Sequence, residues 1–275
     1  MTHLPVSAFL TSLPLDFPAA ARQAAELGFT HVDVVARADR PAGHYAALAD
    51  AGVIVACAAL GRGLSDGQSL DAAPFHARRA AVEAVKRDLA DAARLGAACA
   101  YLVPGTDGSP AALARFGEAC TLLAEYAAGR RVRLCVEHVP GRALPTAAAA
   151  LSWLGAVGHD NLALLLDTGH CLISGEDAAA AALRAGRRLG YVHLDDNDGT
   201  GDLHWPLLTG RLTATAIGEL LAALRTIGHD RPVSLELNPL GADAVAALRD
   251  GKRLVEEMWL ALPPTGRSPN PGETG

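Results

Sequence analysis

The chain has 275 residues, 24 Lys plus Arg against 30 Asp plus Glu, a formal net charge of −6, and 50% hydrophobic residues with only 4% aromatic. That balance excludes a disordered chain, and the acidity argues against a nucleic-acid binder, which carries a basic face. The length suffices for one large domain around a core of Ala, Leu and Val.

The first residues, MTHLPVSAFLTSLPLDF, lack the basic start and long apolar stretch of a secretory signal. No apolar run reaches the roughly 18 residues needed to span a membrane. A cytoplasmic protein without a membrane partner is expected. In chain order, short runs rich in β-branched residues predict strands at Val6–Leu10, His31–Ala36, Val53–Leu60, Cys99–Val103, Arg133–His138, Leu162–Asp167, Tyr191–Asp195 and Pro232–Asn238. Alanine-rich runs with apolar residues three and four apart, such as Ala72–Leu95 and Thr213–Thr226, predict helices between them. Gly28, Gly52, Gly96, Gly190 and Gly228 stand just before strands, where a left-handed helix cap is expected.

Eight strand–helix units of roughly 30 residues each predict an α/β fold, a single (β/α)8 TIM barrel. The rival, a doubly wound sheet, lacks its main cue, because no GxGxxG follows the first strand. The barrel is expected over residues 1–262, and the Pro/Gly-rich residues 263–275 are expected to be a disordered tail. Cys57, Cys99, Cys120, Cys135 and Cys171 are odd in number, scattered and without a CxxC pair, so they read as free, buried thiols of a reducing cytosol.

Polar residues interrupt four of the later strands in phase. Cys135 and Glu137 share one face of the fifth strand while Leu134 and Val136 share the other; Ser234 and Glu236 oppose Val233, Leu235 and Leu237; His193 opposes Val192 and Leu194; Asp167 closes the sixth strand. Side chains alternate along a strand, so in a barrel the polar set faces the axis. Glu137, Asp167, His193 and Glu236 thus converge at one mouth. Three carboxylates with no neighbouring Lys or Arg repel one another, and a divalent cation removes that repulsion. One divalent ion is the expected cofactor. Mn²⁺ is favoured, while three oxygens and one nitrogen suit Mg²⁺, Co²⁺ or Zn²⁺ as well.

The segments Val136-Glu137-His138, Asp167-Thr168-Gly169-His170, His193-Leu194-Asp195-Asp196 and Leu235-Glu236-Leu237 resemble the xylose isomerase-like TIM-barrel superfamily, which includes sugar isomerases and epimerases, dehydratases and the type IV AP endonucleases. The resemblance implies that Glu137, Asp167, His193 and Glu236 are the ligands of a single metal, and that His170 contacts substrate. Asp202-Leu203-His204 matches the Asp-x-His that holds an extra zinc in the endonucleases. Those enzymes also use histidines after strands three and four, where this chain has Leu60-Gly61-Arg62 and Pro104-Gly105-Thr106. Asp202 and His204 are therefore expected to line the substrate pocket.

Such a site suits chemistry beside a carbonyl: Glu137 or Glu236 removes the α-proton and an enediolate forms. Reprotonation by the other glutamate gives epimerisation or aldose–ketose isomerisation. Loss of a β-hydroxyl gives the alternative, a dehydratase of a cyclic keto-polyol or dehydroshikimate-like acid. A non-catalytic accessory barrel and an AP endonuclease are further readings. The catalytic candidates are Glu137, Glu236 and His170; the substrate contacts are His170, Asp202, His204, Arg62 and Trp205. The partner expected is a sugar or polyol, with no nucleic acid, and a homo-oligomer stays open. Alternation points His138 away from Glu137, and Arg142 follows in the same loop.

Overall fold

A computed structural model describes residues 4–238 and 243–263. Eight parallel strands form a closed barrel in sequence order: β1 (Val6–Phe9), β2 (His31–Val35), β3 (Ile54–Ala59), β4 (Cys99–Leu102), β5 (Arg133–Glu137), β6 (Leu162–Asp167), β7 (Leu189–Leu194) and β8 (Val233–Leu235). β1 pairs with β8, which closes the sheet on itself. The fold is thus the single (β/α)8 barrel expected from the alternation. Residues 264–275, most of the expected tail, lie outside the described residues.

Two apolar layers follow from strand alternation. Leu134, Val136, Leu164, Leu166, Val192, Leu194, Val233 and Leu235 join the large core between barrel and helices. Phe9, Cys57, Cys99, Tyr101, Cys135, Leu165 and Tyr191 fill the barrel interior as a separate cluster. The five cysteines are buried and unpaired. Ser7, Asp33, Glu137, His193 and Ser234 are also buried, and they come from inward-facing strand positions.

Several boundaries differ from the expected ones. The long helix begins at Phe75, not Ala72, because Pro74 is its N-cap and restricts the residue before it to extended backbone. β8 stops at Leu235, although Glu236 still donates its N–H to Leu194 O at 3.3 Å. Gly28, Gly52, Gly96 and Gly228 take the left-handed conformation, with φ of 68° to 78°. Gly190 does not cap a helix. It lies inside β7, where a Cβ would come within 2.6 Å of Ala163 Cβ and also meet Cys135 Sγ. The glycine there answers a packing demand rather than a backbone one. Gly190→Ala is expected to destabilise the barrel by about 1–3 kcal/mol through overpacking, read as a lower denaturant midpoint.

Candidate metal and catalytic centre

The centre lies at the carboxyl ends of β5 to β8, the face where barrel loops converge. Asp167 ends β6 and is also the N-cap of the helix Thr168–Ser174, its Oδ1 accepting from His170 N at 2.8 Å. That bond fixes the carboxylate and leaves Oδ2 buried without a hydrogen-bond partner. His193 Nδ1 lies 2.6 Å from Glu236 Oε2, 3.5 Å from Glu137 Oε1 and 3.9 Å from Asp167 Oδ2, yet no hydrogen bond satisfies it. The four predicted residues therefore offer ligand atoms that all lie within 4.8 Å of one another.

Donor atoms about 2.1 Å from one octahedral cation stand roughly 3 to 4 Å apart, so this set of lone pairs fits a divalent ion. The charges agree. Burial opposes protonation of His193, but Glu236, Asp33 and Glu137 push its imidazole well above the usual range. Burial raises Glu137, whereas Glu236 and Asp167, against the same burial, are held low by the neighbouring imidazoles. The protein alone meets its carboxylates with imidazolium; a cation meets the same demand.

A second cluster adjoins the first. His170 Nε2 lies 3.2 Å from Asp202 Oδ1, and His204 Nε2 lies 3.1 Å from the same oxygen. His204 Nδ1 is 2.7 Å from Asp195 Oδ2. His170, Asp202 and His204 form a further trio able to hold a cation, as do Asp167, Asp195 and His204. Despite burial, Asp167, Asp202 and Glu137 push His170 up to about 10. Asp195 and Asp202 likewise push His204 up to about 12, and hydrogen bonds from both imidazoles hold Asp202 well below the carboxylate range. Burial and the nearby Asp167 raise Asp195 to about 7.

Local sequence builds this second cluster. Asp195 Oδ1 accepts from Gly169 N at 2.7 Å, and a Cβ at Gly169 would meet both Asp195 oxygens at 2.6 Å, so the glycine between Asp167 and His170 lets the carboxylate approach. Asp196 accepts from Gly210 N and Leu212 N, each at 2.7 Å, and so pins the loop that carries Asp202 and His204. His204 has a φ of 49°, an uncommon conformation for a non-glycine residue that marks this loop as constrained.

The remaining candidates are distributed around this centre. Arg62 reaches the barrel mouth, with Nη2 donating to Tyr101 Oη at 3.2 Å, and the Tyr101 ring sets its edge against His193 with centroids 5.2 Å apart. Trp205 is half-buried, and its backbone pairs with Asp196; its ring has no polar contact with the cluster among the described residues. His138 turns away from Glu137 and sits under the site, where its Nε2 accepts from Asp167 N at 3.3 Å; burial lowers its pKa to about 4, which keeps it neutral.

Asp33 escapes the sequence reading, although it interrupts the apolar run of β2 in the same way that His193 interrupts β7. Its Oδ1 accepts from Ser7 Oγ and Tyr191 Oη, both at 2.7 Å, and its Oδ2 faces His193 Nε2 at 3.7 Å. A carboxylate behind a ligating imidazole fixes ring orientation and tautomer. Asp33→Asn is expected to weaken divalent-ion affinity about 10- to 100-fold, measured by equilibrium dialysis against Mn²⁺.

The fold and these segments agree with known proteins. The family described as xylose isomerase-like TIM barrel matches residues 21–258. An L-ribulose 3-epimerase of Mesorhizobium japonicum is 33% identical over 119 residues, which is 42% of this chain and 38% of that protein. The match thus spans little more than a third of the relative's length. The structure of an L-ribulose 3-epimerase superposes with a TM-score of 0.79 at 22% identity, covering 94% of this chain and 95% of the other. A D-psicose 3-epimerase crystallised in the presence of D-fructose gives 0.78 at 20% identity, covering 93% and 99%. No helix among the described residues is long and apolar enough to cross a membrane. The chain belongs to the xylose isomerase-like TIM-barrel family.

Proposed function

We propose that the protein is a divalent-metal-dependent ketose epimerase that exchanges the proton on the carbon beside the substrate's carbonyl. One observation carries this reading: Glu137 from β5 and Glu236 from the end of β8 approach the same imidazole nitrogen, at 3.5 and 2.6 Å, from strands three positions apart around the barrel. Sequence similarity to an L-ribulose 3-epimerase supports it, as does the likeness in fold to the structures of two 3-epimerases.

Glu137, Asp167, His193 and Glu236 would hold the ion, which when bound supplies charge neutralisation and polarises the substrate's carbonyl. The chain's residues do the rest. One glutamate takes the α-proton and leaves an enediolate; the other returns a proton to the same carbon from the opposite side, which inverts it. His170, held cationic by Asp167, Asp202 and Glu137, donates a hydrogen bond to a substrate oxygen as negative charge develops there. Asp202 and His204 orient His170 and close that side of the pocket. Trp205 and Arg62 stand at the rim as further substrate contacts.

The test is a screen of ketopentoses and ketohexoses with Mn²⁺- or Mg²⁺-loaded protein, followed by chromatographic identification of products. A C3 epimer of at least one ketose is expected. Conversion only with loss of water, or no conversion of any ketose, overturns the reading.

A further inference from the structure

Arg62 and Arg142 line one cavity of about 200 Å³ beside the centre, together with Gln68, Ser69 and the backbone at Gly105. No aspartate or glutamate lines it. The Asp71 carboxylate lies against Gly105, where a Cβ would clash with its Oδ2, and its Oδ1 accepts from the Ser69 hydroxyl. Neither arginine forms an ion pair among the described residues. The Arg62 guanidinium instead donates to the neutral Tyr101 hydroxyl, with its carbon 5.7 Å from that ring's centroid. Arg142, an exposed residue, ends the turn after Val139, to whose carbonyl it donates its N–H at 3.0 Å. The larger cavity on the other side of Arg62, about 520 Å³, differs because Asp39 and Asp88 stand there beside Arg37 and Arg87.

Arg62 feels the carboxylates of Glu137 and Glu236 across the mouth, but no acidic side chain lines the cavity that it shares with Arg142, so an anion entering there can accept from both guanidinium forks. Tyr101 ties this cavity to the candidate metal centre: its hydroxyl accepts from Arg62 and its ring stands perpendicular to that of His193.

We propose that this cavity is an anion subsite, and that the substrate is a ketose carrying a terminal carboxylate or phosphate ester clamped by Arg62 and Arg142. The assignment rests on the epimerase reading for the ketose part and on the cavity for the anion.

The experiment compares D-fructose, D-fructuronate and D-fructose 6-phosphate on Mn²⁺-loaded protein, measuring affinity by calorimetry and α-proton exchange in deuterium oxide. At least one acidic ketose should bind tenfold or more tightly than D-fructose at low salt, and the better of the two identifies the anion. Arg62→Gln and Arg142→Gln should each cut that preference about tenfold. Arg62→Lys should restore only part of it, since an ammonium cannot reproduce the fork. Equal affinity for neutral and acidic ketoses, or a preference unchanged in both glutamine variants, overturns the anion subsite. Failure of every ketose to exchange its proton overturns the epimerase reading instead, while the affinity ratio still decides the subsite.

Discussion

Glu236→Gln and Glu137→Gln are each expected to lower kcat by a factor of about 10³, within the range that a positioned acid or base supplies. Glutamine keeps the shape of the side chain but cannot carry the proton. Metal content must be measured on the same samples, because both side chains also belong to the set of four clustered ligand atoms. Loss of turnover with the ion still bound isolates the proton-transfer role. The stability of metal-free Glu137→Gln should respond in the opposite sense. Glu137 is 3% exposed and its carboxylate is raised by burial and by Glu236, so removing its charge relieves a cost. The midpoint of thermal unfolding of metal-free Glu137→Gln should equal or exceed that of the metal-free parent. This is the pattern of a site whose charges serve chemistry at the expense of stability.

Removal of divalent ions is expected to have the second large effect. An ion present at 100 times its Kd stabilises by about 2.7 kcal/mol, which for a chain of this size is a shift of about 5–10 °C. Chelator should lower Tm by that amount and abolish turnover; Mn²⁺ or Mg²⁺ should restore both. The shift should depend on pH. His193 is held protonated well above the usual imidazole range in the protein without metal, and an ion can bind only to the deprotonated ring. Acid thus opposes binding, and the metal-induced gain in Tm should be larger at pH 8 than at pH 6. Equal gains at both values would mean that His193 is not among the ligands.

The sequence made the barrel and the main cluster legible because both rest on the period of a strand. In β5, β7 and the segment around β8, a polar residue between aliphatic ones can only point to the axis, and the side chains of Glu137, His193 and Glu236 do meet there. The same rule identifies Asp33 between Val32 and Val34, yet a single aspartate in an early strand resembles a boundary residue until Ser7 and Tyr191 are seen donating to it. Gly190 resembles a helix cap in the sequence because helix capping and close packing both select glycine, and only neighbours remote in sequence, Cys135 and Ala163, distinguish them. The link between Arg62 and Tyr101, and the cavity shared with Arg142, depend on loops after three different strands. No local pattern encodes that convergence.

Isotope incorporation reads the exchange of the proton beside a ketose's carbonyl by Glu137 and Glu236. Metal-loaded protein is incubated in deuterium oxide with a ketose it converts, and the recovered substrate and product are analysed by mass spectrometry. Such an exchange leaves one deuterium at the inverted carbon, with incorporation lost in Glu137→Gln and Glu236→Gln. Conversion without deuterium, or incorporation that persists when both glutamates are replaced, would contradict it.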